Sequence, residues 1–453
     1  MAKPIKSHYN NLIIGFGKGG KTLAAWLGKR DEEVALIEMS DKMYGGSCIN
    51  VACIPTKSLI KNAEEELPYE KAFSKKNELT SLLRNLNYNN IEKLPSAIVI
   101  RGQASFISPT ELHVKLSDGN EEKIIQADRI FINTGSQPFL PPIVGIENSK
   151  KVFTSISLIE QSVLLKHLII IGAGFIGLEF ADMYAKFGAE VTVLESAATF
   201  LPKEDRDIAN EILKVLTEKG INIVVGATVE GIEDTRDGNA GLQYKNKEGE
   251  LISLTGSGIL IATGRKPMTE GLNLEAAGIN TDKKGYILVD ELLRTNVPNI
   301  WAIGDINGGP QFTYISLDDF RVIRDQLSGG KYISTNQRKQ VASSVFITPQ
   351  LAHIGLREKD AIEKGYNYKV AKLPATSVVR ARIDGDTNGL LKTVVDMKTK
   401  KILGCTLFCV DANEMINTIQ VAINCGLDYP VVRDAVYTHP SMTEAFNDLY
   451  SMF

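Results

Sequence analysis

Short apolar runs that end in glycine-rich turns dominate the pattern of this chain. The pattern is clearest in two segments, which read NLIIGFGKGGKTLAAWLGKR and HLIIIGAGFIGLEFADMYAKFG. In each segment a helical pattern follows the turn, and a second apolar run comes next, VALIE in the first and VTVLE in the second. This order predicts two strand–helix–strand units, each with parallel strands.

The pattern changes after residue 341, where no third turn of this kind follows. The runs SSVFIT, YKVAKLPA, LLKTVVDM and ILGCTLFCV predict strands, and ANEMINTIQVAINCG predicts a helix. We therefore expect an α/β fold in which two Rossmann-like dinucleotide-binding domains precede a C-terminal α+β domain.

Size, charge and hydropathy argue against several classes of protein. The chain has 453 residues, of which 43% are hydrophobic and 23% charged, and its formal net charge is −3 without a block of Lys or Arg. This balance argues against a nucleic-acid groove or a membrane-surface patch. The most apolar stretch is broken by glycines and a glutamate, and the N-terminus does not read as a signal peptide. Five thinly spread cysteines indicate reduced thiols, so we expect a cytoplasmic protein.

Both glycine-rich turns have the GxGxxG spacing of a dinucleotide fingerprint, and a carboxylate ends the next strand twenty-three residues after the first glycine. Such glycines allow a tight turn and bring a pyrophosphate to a helix N-terminus, while the carboxylate accepts hydrogen bonds from ribose. We therefore predict two dinucleotide sites; the alternative is two units whose glycines serve packing alone. The residues are Gly15, Gly17, Gly20 and Glu38 in the first unit, and Gly172, Gly174, Gly177 and Glu195 in the second.

Glu195 also indicates which nicotinamide nucleotide binds. Its carboxylate would repel a 2′-phosphate, and no arginine follows within the next several residues. NADH is therefore favoured over NADPH.

Three further phrases predict strands that return to a nucleotide site. IFINTGSQP contains Thr134 and Gly135, and ILIATGRKP contains Gly264 at the matching position. NIWAIGDINGG places Gly304 and Asp305 after an apolar strand, where an acidic side chain can hold the hydroxyl groups of a ligand. For Asp305 the alternative is a cap on the next turn.

The segment GGSCINVACIPTK places Cys48 and Cys53 five positions apart, with Lys57 close behind. The spacing is too wide for a thioredoxin-like CxxC motif, and no nearby Cys/His pair completes a zinc site. A disulfide in a reducing compartment is usually catalytic. The alternative is a pair of buried, inert thiols.

These motifs, together with the C-terminal phrase THPSMTE, resemble the class I pyridine nucleotide–disulfide oxidoreductases over nearly the whole chain. That family includes dihydrolipoamide dehydrogenase, glutathione reductase and mercuric reductase. The resemblance implies an FAD-binding domain over residues 1–148 and 270–340, an NAD(H)-binding domain over 149–269, and a dimerisation domain over 341–453. It assigns to FAD the residues Gly15, Gly17, Gly20, Glu38, Thr134, Gly135, Gly304 and Asp305, and to NAD the residues Gly172, Gly174, Gly177, Glu195 and Gly264.

The resemblance also implies catalytic roles. Cys48 and Cys53 form a redox-active disulfide, in which Cys53 faces the flavin as the charge-transfer thiolate and Cys48 meets the acceptor. A disulfide across five residues requires a distorted helix, which Pro55 favours. Lys57 is the cation near the flavin, and its expected partner is Glu179.

The phrase THPSMTE resembles the His/Glu dyad of the family, in which His439 acts as a base oriented by Glu444. In the family this pair reaches the disulfide of the other subunit, so the resemblance implies a homodimer with shared active sites. Read alone, His439 is an ordinary surface or core residue.

The electron acceptor is indicated by departures from dihydrolipoamide dehydrogenase. Ala52 replaces a glycine before the second cysteine, and the segment GGPQFTYISLDDFRVIRDQL follows Asp305. The C-terminal NDLYSMF also lacks the extra cysteine pair of mercuric reductases and high-molecular-weight thioredoxin reductases. These features resemble the bacterial reactive-chlorine-resistance flavoproteins of the RclA type, which implies reduction of Cu(II) to Cu(I) with NADH. A thiolate pair suits Cu(I). As a hypothesis, Met442 adds a thioether to the copper site formed by Cys48 and Cys53, with Met43 a weaker candidate; the alternative is packing.

Other interpretations stay open. One is dihydrolipoamide dehydrogenase, one is a diaphorase that bypasses the cysteines to reduce quinones or oxygen, and one is a redox sensor that merely holds nucleotides. The remaining cysteines, Cys405, Cys409 and Cys425, are expected to fill the core. We expect the acceptor to be a metal ion or small molecule, with no nucleic-acid or membrane partner.

Overall fold

The structure is a computed structural model that describes residues 3–117, 119 and 121–453. Its N-terminal part contains the first predicted strand–helix–strand unit, and β1 pairs in parallel with β2 and with β5. An antiparallel extension formed by β3, β4 and β5 widens the sheet. The elements are β1 (His8–Ile14), α1 (Lys18–Gly28), β2 (Val34–Glu38), α2 (Ser47–Asn50), α3 (Cys53–Glu64), α4 (Tyr69–Glu92), β3 (Ala97–Phe106), β4 (Glu111–Leu116), β5 (Glu122–Ile132) and β6 (Ser136–Pro138).

The second unit contains the second predicted strand–helix–strand motif in a parallel sheet ordered β10-β9-β8-β14-β7, beside an antiparallel sheet of β11, β12 and β13. Its apolar strands are buried on both faces, as parallel strands covered by helices require. The elements are β7 (Val152–Thr154), α5 (Ser155–Leu158), β8 (His167–Ile171), α6 (Phe175–Lys186), β9 (Glu190–Glu195), α7 (Arg206–Glu218), β10 (Asn222–Val225), β11 (Thr228–Asp234), β12 (Ala240–Lys245), β13 (Leu251–Gly256), β14 (Gly258–Ile261) and β15 (Arg265–Pro267).

The chain then returns to the first unit. β15 pairs with β6, and the next strand, β16 (Ile300–Ala302), pairs in parallel with β5. Helix α8 (Thr313–Ser328) packs against α1. The first unit is therefore discontinuous in sequence, with the second unit inserted between its two parts.

The third unit is an antiparallel sheet ordered β17-β18-β21-β20-β19, with helices packed on it. The predicted strands and the predicted helix are present; β18 was not predicted. The elements are β17 (Ser343–Val345), β18 (Gln350–Gly355), α9 (Glu358–Glu363), β19 (Tyr368–Pro374), α10 (Val379–Asp384), β20 (Leu390–Asp396), β21 (Ile402–Cys409), α11 (Ala412–Asn424), α12 (Tyr429–Arg433) and α13 (Ala445–Tyr450). Within the described part of the chain, no helix is long and apolar enough to cross a membrane.

A buried ion cluster joins the second and third units. The ammonium of Lys392, on β20, lies 3.0 Å from a carboxylate oxygen of Asp205, 2.9 Å from one of Asp207 and 2.7 Å from one of Glu358. Burial lowers the pKa of Lys392, but hydrogen bonds to Glu358 and the two aspartates outweigh it, so the pKa lies above its usual value. This cluster fixes the third unit against the start of α7.

Candidate active site

A cavity of about 1500 Å³ lies where the three units meet. Its wall includes both glycine-rich turns, the cysteine segment and the start of α8. Phe346 lines the cavity from the third unit. The cavity therefore brings together most of the site residues that the sequence predicts.

The first glycine of each fingerprint has a backbone conformation that side chains rarely adopt. Gly15 has φ +96° and Gly172 has φ +107°. A Cβ on Gly15 would lie 2.5 Å from the carbonyl oxygen of Asn133, and one on Gly172 would lie 2.6 Å from that of Ala262. Both turns thus pass close to the neighbouring return strand, and only glycine fits at these two positions.

The strand-end carboxylates occupy matching positions in the two units. Glu38 accepts a hydrogen bond from the backbone N–H of Phe16 at 3.0 Å, and Glu195 accepts one from that of Ala173 at 2.8 Å. Burial raises the pKa of Glu38 to about 7. Glu38 lines the cavity, where ribose hydroxyls could bind it.

The cavity fits an FAD. The hydroxyl of Thr134 is buried in its wall without a hydrogen-bond partner among the described residues, so it can bind a ligand oxygen. A Cβ built on Gly135 would meet no atom within 4 Å, which leaves room for a ligand against the backbone. Asp305 accepts a hydrogen bond from Ser136 at 2.7 Å and also lines the cavity. FAD would supply a two-electron carrier between a nicotinamide and a disulfide.

On the nicotinamide side, a Cβ built on Gly174 or on Gly264 would meet no atom within 4 Å. Both glycines line the same cavity, so the second fingerprint also faces open space. Gly174 is the N-cap of α6, whose free N–H groups favour a pyrophosphate.

The helix that carries the cysteines is broken, as a disulfide across five residues requires. α2 ends at Asn50 and α3 begins at Cys53. Between them, Ala52 has φ −135° and ψ −107°, which lie outside the helical range. Both cysteines are present as thiols, are partly buried and line the cavity.

The surroundings of the two thiols shift their pKa values in opposite directions. A hydrogen bond from Cys48 lowers the pKa of Cys53 to about 6, and Thr313 and the charge of Lys57 add to the shift. The sulfur of Cys53 lies 3.7 Å from the hydroxyl oxygen of Thr313. The same bond to Cys53, with burial, raises the pKa of Cys48. These opposite shifts favour the proton on Cys48 and the negative charge on Cys53.

The predicted ion pair beside the cysteines forms. The ammonium of Lys57 lies 2.6 Å from a carboxylate oxygen of Glu179, on α6. The other oxygen of Glu179 accepts the backbone N–H of Phe346 at 3.0 Å, and the ammonium of Lys57 lies 4.6 Å from the centre of the Phe346 ring. Residues of all three units thus hold this cation.

The predicted dyad also forms, but away from the cavity. The imidazole Nδ1 of His439 lies 2.8 Å from a carboxylate oxygen of Glu444. The His439 side chain is 69% exposed and does not line the cavity. Within one subunit, the imidazole of His439 therefore lies away from the cavity that the two cysteines line.

Two expectations need correction. Met442 is only 3% exposed and packs in the hydrophobic core of the third unit, so its thioether cannot serve as a ligand at the cavity. Met43 does line the cavity. Cys405 and Cys409 are buried as expected, but Cys425 is exposed because it lies at the C-terminal end of α11. No group of three or more His, Cys, Asp or Glu side chains suited to a metal was found among residues 3–117, 119 and 121–453.

Sequence reasoning missed two contacts at the site. Thr313 lies in the segment after Asp305 that departs from dihydrolipoamide dehydrogenase. The departure marks this segment as unusual, but it does not indicate that Thr313 contacts Cys53. Phe346 lies in the run SSVFIT, where nothing distinguishes it from a core residue.

Comparison with known proteins identifies the class. Residues 9–319 match the family described as pyridine nucleotide-disulphide oxidoreductase, and residues 341–450 match the dimerisation domain of that family. The chain therefore belongs to the pyridine nucleotide-disulphide oxidoreductases. It is an enzyme that binds FAD and a pyridine nucleotide, and its third unit indicates a homodimer.

Within the family, the chain is similar to a particular flavoprotein. It is 46% identical over 447 residues to the probable pyridine nucleotide-disulfide oxidoreductase RclA of Escherichia coli, with 98% of this chain and 99% of that protein covered. It is 32% identical over 458 residues to a mercuric reductase of Lysinibacillus sphaericus, with 97% of this chain and 81% of that protein covered.

A solved structure of RclA also matches this chain. The Cu(II) complex of the HOCl-induced flavoprotein disulfide reductase RclA from Escherichia coli matches with a TM-score of 0.95 and 46% identity, covering 99% of this chain and 100% of that chain. The chain is therefore a flavoprotein disulfide reductase similar to RclA.

Proposed function

We propose that the protein transfers electrons from NADH, through FAD and the Cys48–Cys53 disulfide, to Cu(II). The overall reaction would be NADH + 2 Cu(II) → NAD⁺ + H⁺ + 2 Cu(I), in which each copper ion accepts one electron. The observation that carries the proposal is the placement of Cys48 and Cys53 in the cavity that both nucleotide-binding turns face, with Lys57 among the groups that lower the pKa of Cys53.

The cysteines would cycle between two states. Two electrons and one proton break the sulfur–sulfur bond and leave a thiolate on Cys53 and a thiol on Cys48. When two Cu(II) ions each take an electron, the bond re-forms and Cys48 loses its proton. His439 of a second subunit is the base we assign to that proton, since Glu444 orients its ring and the ring is exposed.

Two arguments support Cu(II) as the electron acceptor. Thiolate sulfurs are soft ligands that stabilise Cu(I) over harder ions. The similar RclA of Escherichia coli is described as HOCl-induced and as forming a Cu(II) complex. A role in defence against reactive chlorine or related oxidants follows by extension from that description.

NADH is favoured over NADPH by the surroundings of Glu195. Both of its carboxylate oxygens already accept backbone N–H groups, at 2.8 Å from Ala173 and 2.8 Å from Ala197, so the carboxylate is fixed at the strand end. The next arginine, Arg206, donates to backbone carbonyls, including that of Phe200 at 2.8 Å. It is therefore engaged rather than free to bind a 2′-phosphate.

The test is anaerobic NADH oxidation by the FAD-loaded dimer with Cu(II), Hg(II), oxidised glutathione, lipoamide or a quinone as acceptor. The proposal predicts that Cu(II) supports the largest kcat/KM and that NADPH is a poorer donor than NADH. A Cys48→Ser/Cys53→Ser double variant should lose copper reduction while still binding FAD. If lipoamide gave the largest kcat/KM, the enzyme would be a dihydrolipoamide dehydrogenase. If the double variant kept its activity, electrons would bypass the cysteines.

A further inference from the structure

Lys21 is a buried lysine to which the proposed reaction assigns no role. It lies in the first turns of α1 and is 9% exposed. The positive end of a helix dipole disfavours a cation there, and burial costs further free energy. Lys18, on the same helix, lines the nucleotide cavity, but Lys21 does not.

The contacts of Lys21 lead instead to the cysteine segment. Its ammonium donates a hydrogen bond to the carbonyl oxygen of Gly45 at 3.1 Å, three residues before Cys48. Gly46 is packed so closely on α1 that a Cβ there would lie 2.8 Å from the Cα of Gly17. The turn before α2 thus packs directly on the turn before α1, and the hydrogen bond from Lys21 joins the same two segments.

Lys21 and Cys48 also interact through charge. The positive charge of Lys21 favours the thiolate of Cys48, and that thiolate favours the ammonium. Burial, followed by the charge of Lys18, lowers the pKa of Lys21 to about 8. Cys53 is the other titratable group in contact with Cys48, and its own charged neighbours are Lys57 and Glu179.

We propose that Lys21 is a positioning residue that holds the Cys48 segment and, through its charge, raises the reduction potential of the Cys48–Cys53 disulfide. The proposal rests on the redox role of this disulfide proposed above. Reduction adds two electrons and one proton, and converts a neutral disulfide into a pair with one negative charge. That charge lies mainly on Cys53 and is shared with Cys48 through the hydrogen bond between the two sulfurs. A fixed cation nearby stabilises that charged product but not the disulfide, so it shifts the equilibrium towards the reduced pair.

The experiment is an equilibrium titration of the FAD-loaded protein in redox buffers of dithiothreitol, with thiol labelling and charge-transfer absorbance as readouts. In Lys21→Met, at pH 7, we expect the ratio of reduced to oxidised pair to fall about tenfold, which is about 30 mV for a two-electron couple. Lys21→Arg should keep the wild-type potential. Lys21→Gln keeps a donor for Gly45 without the charge, so its potential should match that of Lys21→Met.

A matched control is Lys76→Met, because Lys76 is another buried lysine of the first unit, bonded to the carbonyl of Ile159 at 2.9 Å. Its loss should leave the potential unchanged. The difference between wild type and Lys21→Met should also shrink as the pH rises through about 8, where Lys21 loses its charge.

The proposal about Lys21 is overturned if Lys21→Gln keeps the wild-type potential, or if Lys76→Met shifts the potential as much as Lys21→Met does. A wild-type protein that shows no thiol–disulfide couple in these buffers would instead refute the proposed function. The two failures are therefore distinguishable.

Discussion

At the scale of single residues, the candidate chemistry depends on where one proton lies. Cys48, Thr313 and Lys57 all favour the thiolate of Cys53, and they come from three different helices. Burial acts in the opposite direction, but it is outweighed. Cys48 and Lys57 are close to Cys53 in sequence, whereas Thr313 comes from a distant helix, so the pKa of about 6 combines a local motif with one long-range contact.

The Lys57→Met variant tests the charge contribution to this pKa. The charge-transfer absorbance of the two-electron-reduced enzyme should appear as the pH rises through about 6 in wild type, because the thiolate is the absorbing form. Without the cation, the apparent pKa should rise by about 1 unit. Lys61→Met is the control, since Lys61 is exposed and pairs with Glu65 at 3.6 Å. An unchanged midpoint in Lys57→Met would contradict the assignment.

The sequence allows the main site residues to be predicted where a motif carries them. Cys48, Cys53 and Lys57 lie in one phrase, and the partner Glu179 lies two residues after the second fingerprint. The contact of Thr313 with Cys53 joins residues 260 positions apart, so no local pattern could reveal it. The prediction of Met442 as a copper ligand was wrong because the phrase THPSMTE does not indicate which of its side chains points into the core.

At the scale of elements, the two fingerprints were the most predictable feature. Each apolar run became a parallel strand, and each turn became the start of a helix, α1 or α6. Hydrophobic periodicity and turn glycines carry this information locally.

Gly174→Ala should separate nucleotide binding from folding. Gly174 has φ −75°, which alanine adopts without strain, and a Cβ there would meet no protein atom within 4 Å. The added methyl group should instead meet the pyrophosphate, so we expect NADH affinity to fall at least about tenfold. FAD content and thermal stability should stay at wild-type values, and fluorescence titration with NADH measures the affinity. Unchanged NADH affinity would show that the nucleotide binds elsewhere.

The sequence analysis predicted neither α4 nor β18, for reasons that can be identified. The segment that forms α4 is rich in charged residues and Asn, so its helical pattern carries little hydrophobic signal. Its buried Lys76 donates a hydrogen bond to the carbonyl of Ile159 in the second unit, a long-range contact that no local pattern reveals. β18 is short and begins directly after Pro349, where the sequence reads as a turn.

At the scale of the whole molecule, the site depends on how the units are held together. Phe346 contacts the Lys57–Glu179 pair from the third unit, so this contact depends on how the third unit packs against the other two. The buried cluster around Lys392 is one of the contacts that fix it.

Lys392→Met should therefore be strongly destabilising. The lysine side chain is 2% exposed, and its removal leaves the carboxylates of Asp205 and Glu358 without their cation. We expect a loss of about 3 to 5 kcal/mol in the free energy of unfolding, measured by urea denaturation. Lys372→Met is the matched control: Lys372 also binds Asp207, at 2.7 Å, but is 47% exposed, so its loss should cost less than about 1 kcal/mol. Equal effects would mean that burial of the cluster is unimportant.

Mixed dimers test whether active sites are shared between subunits. One parent is the Cys48→Ser/Cys53→Ser variant and the other is His439→Gln, each inactive or nearly so as a homodimer. If the cysteines of one subunit work with the imidazole of the other, each mixed dimer contains one intact site and recovers about half the activity of wild type. If His439 served its own subunit, the mixed dimer would stay as inactive as its parents. Steady-state copper reduction by purified mixed dimers distinguishes the two.

The most direct test of the account is an anaerobic titration of the FAD-loaded protein with NADH. We predict that each subunit accepts four electrons, two on the flavin and two on the Cys48–Cys53 disulfide, with charge-transfer absorbance and two newly titratable thiols. The Cys48→Ser/Cys53→Ser variant should accept two electrons. Uptake of only two electrons by wild type, without new thiols, would contradict the central claim that this disulfide carries the electrons.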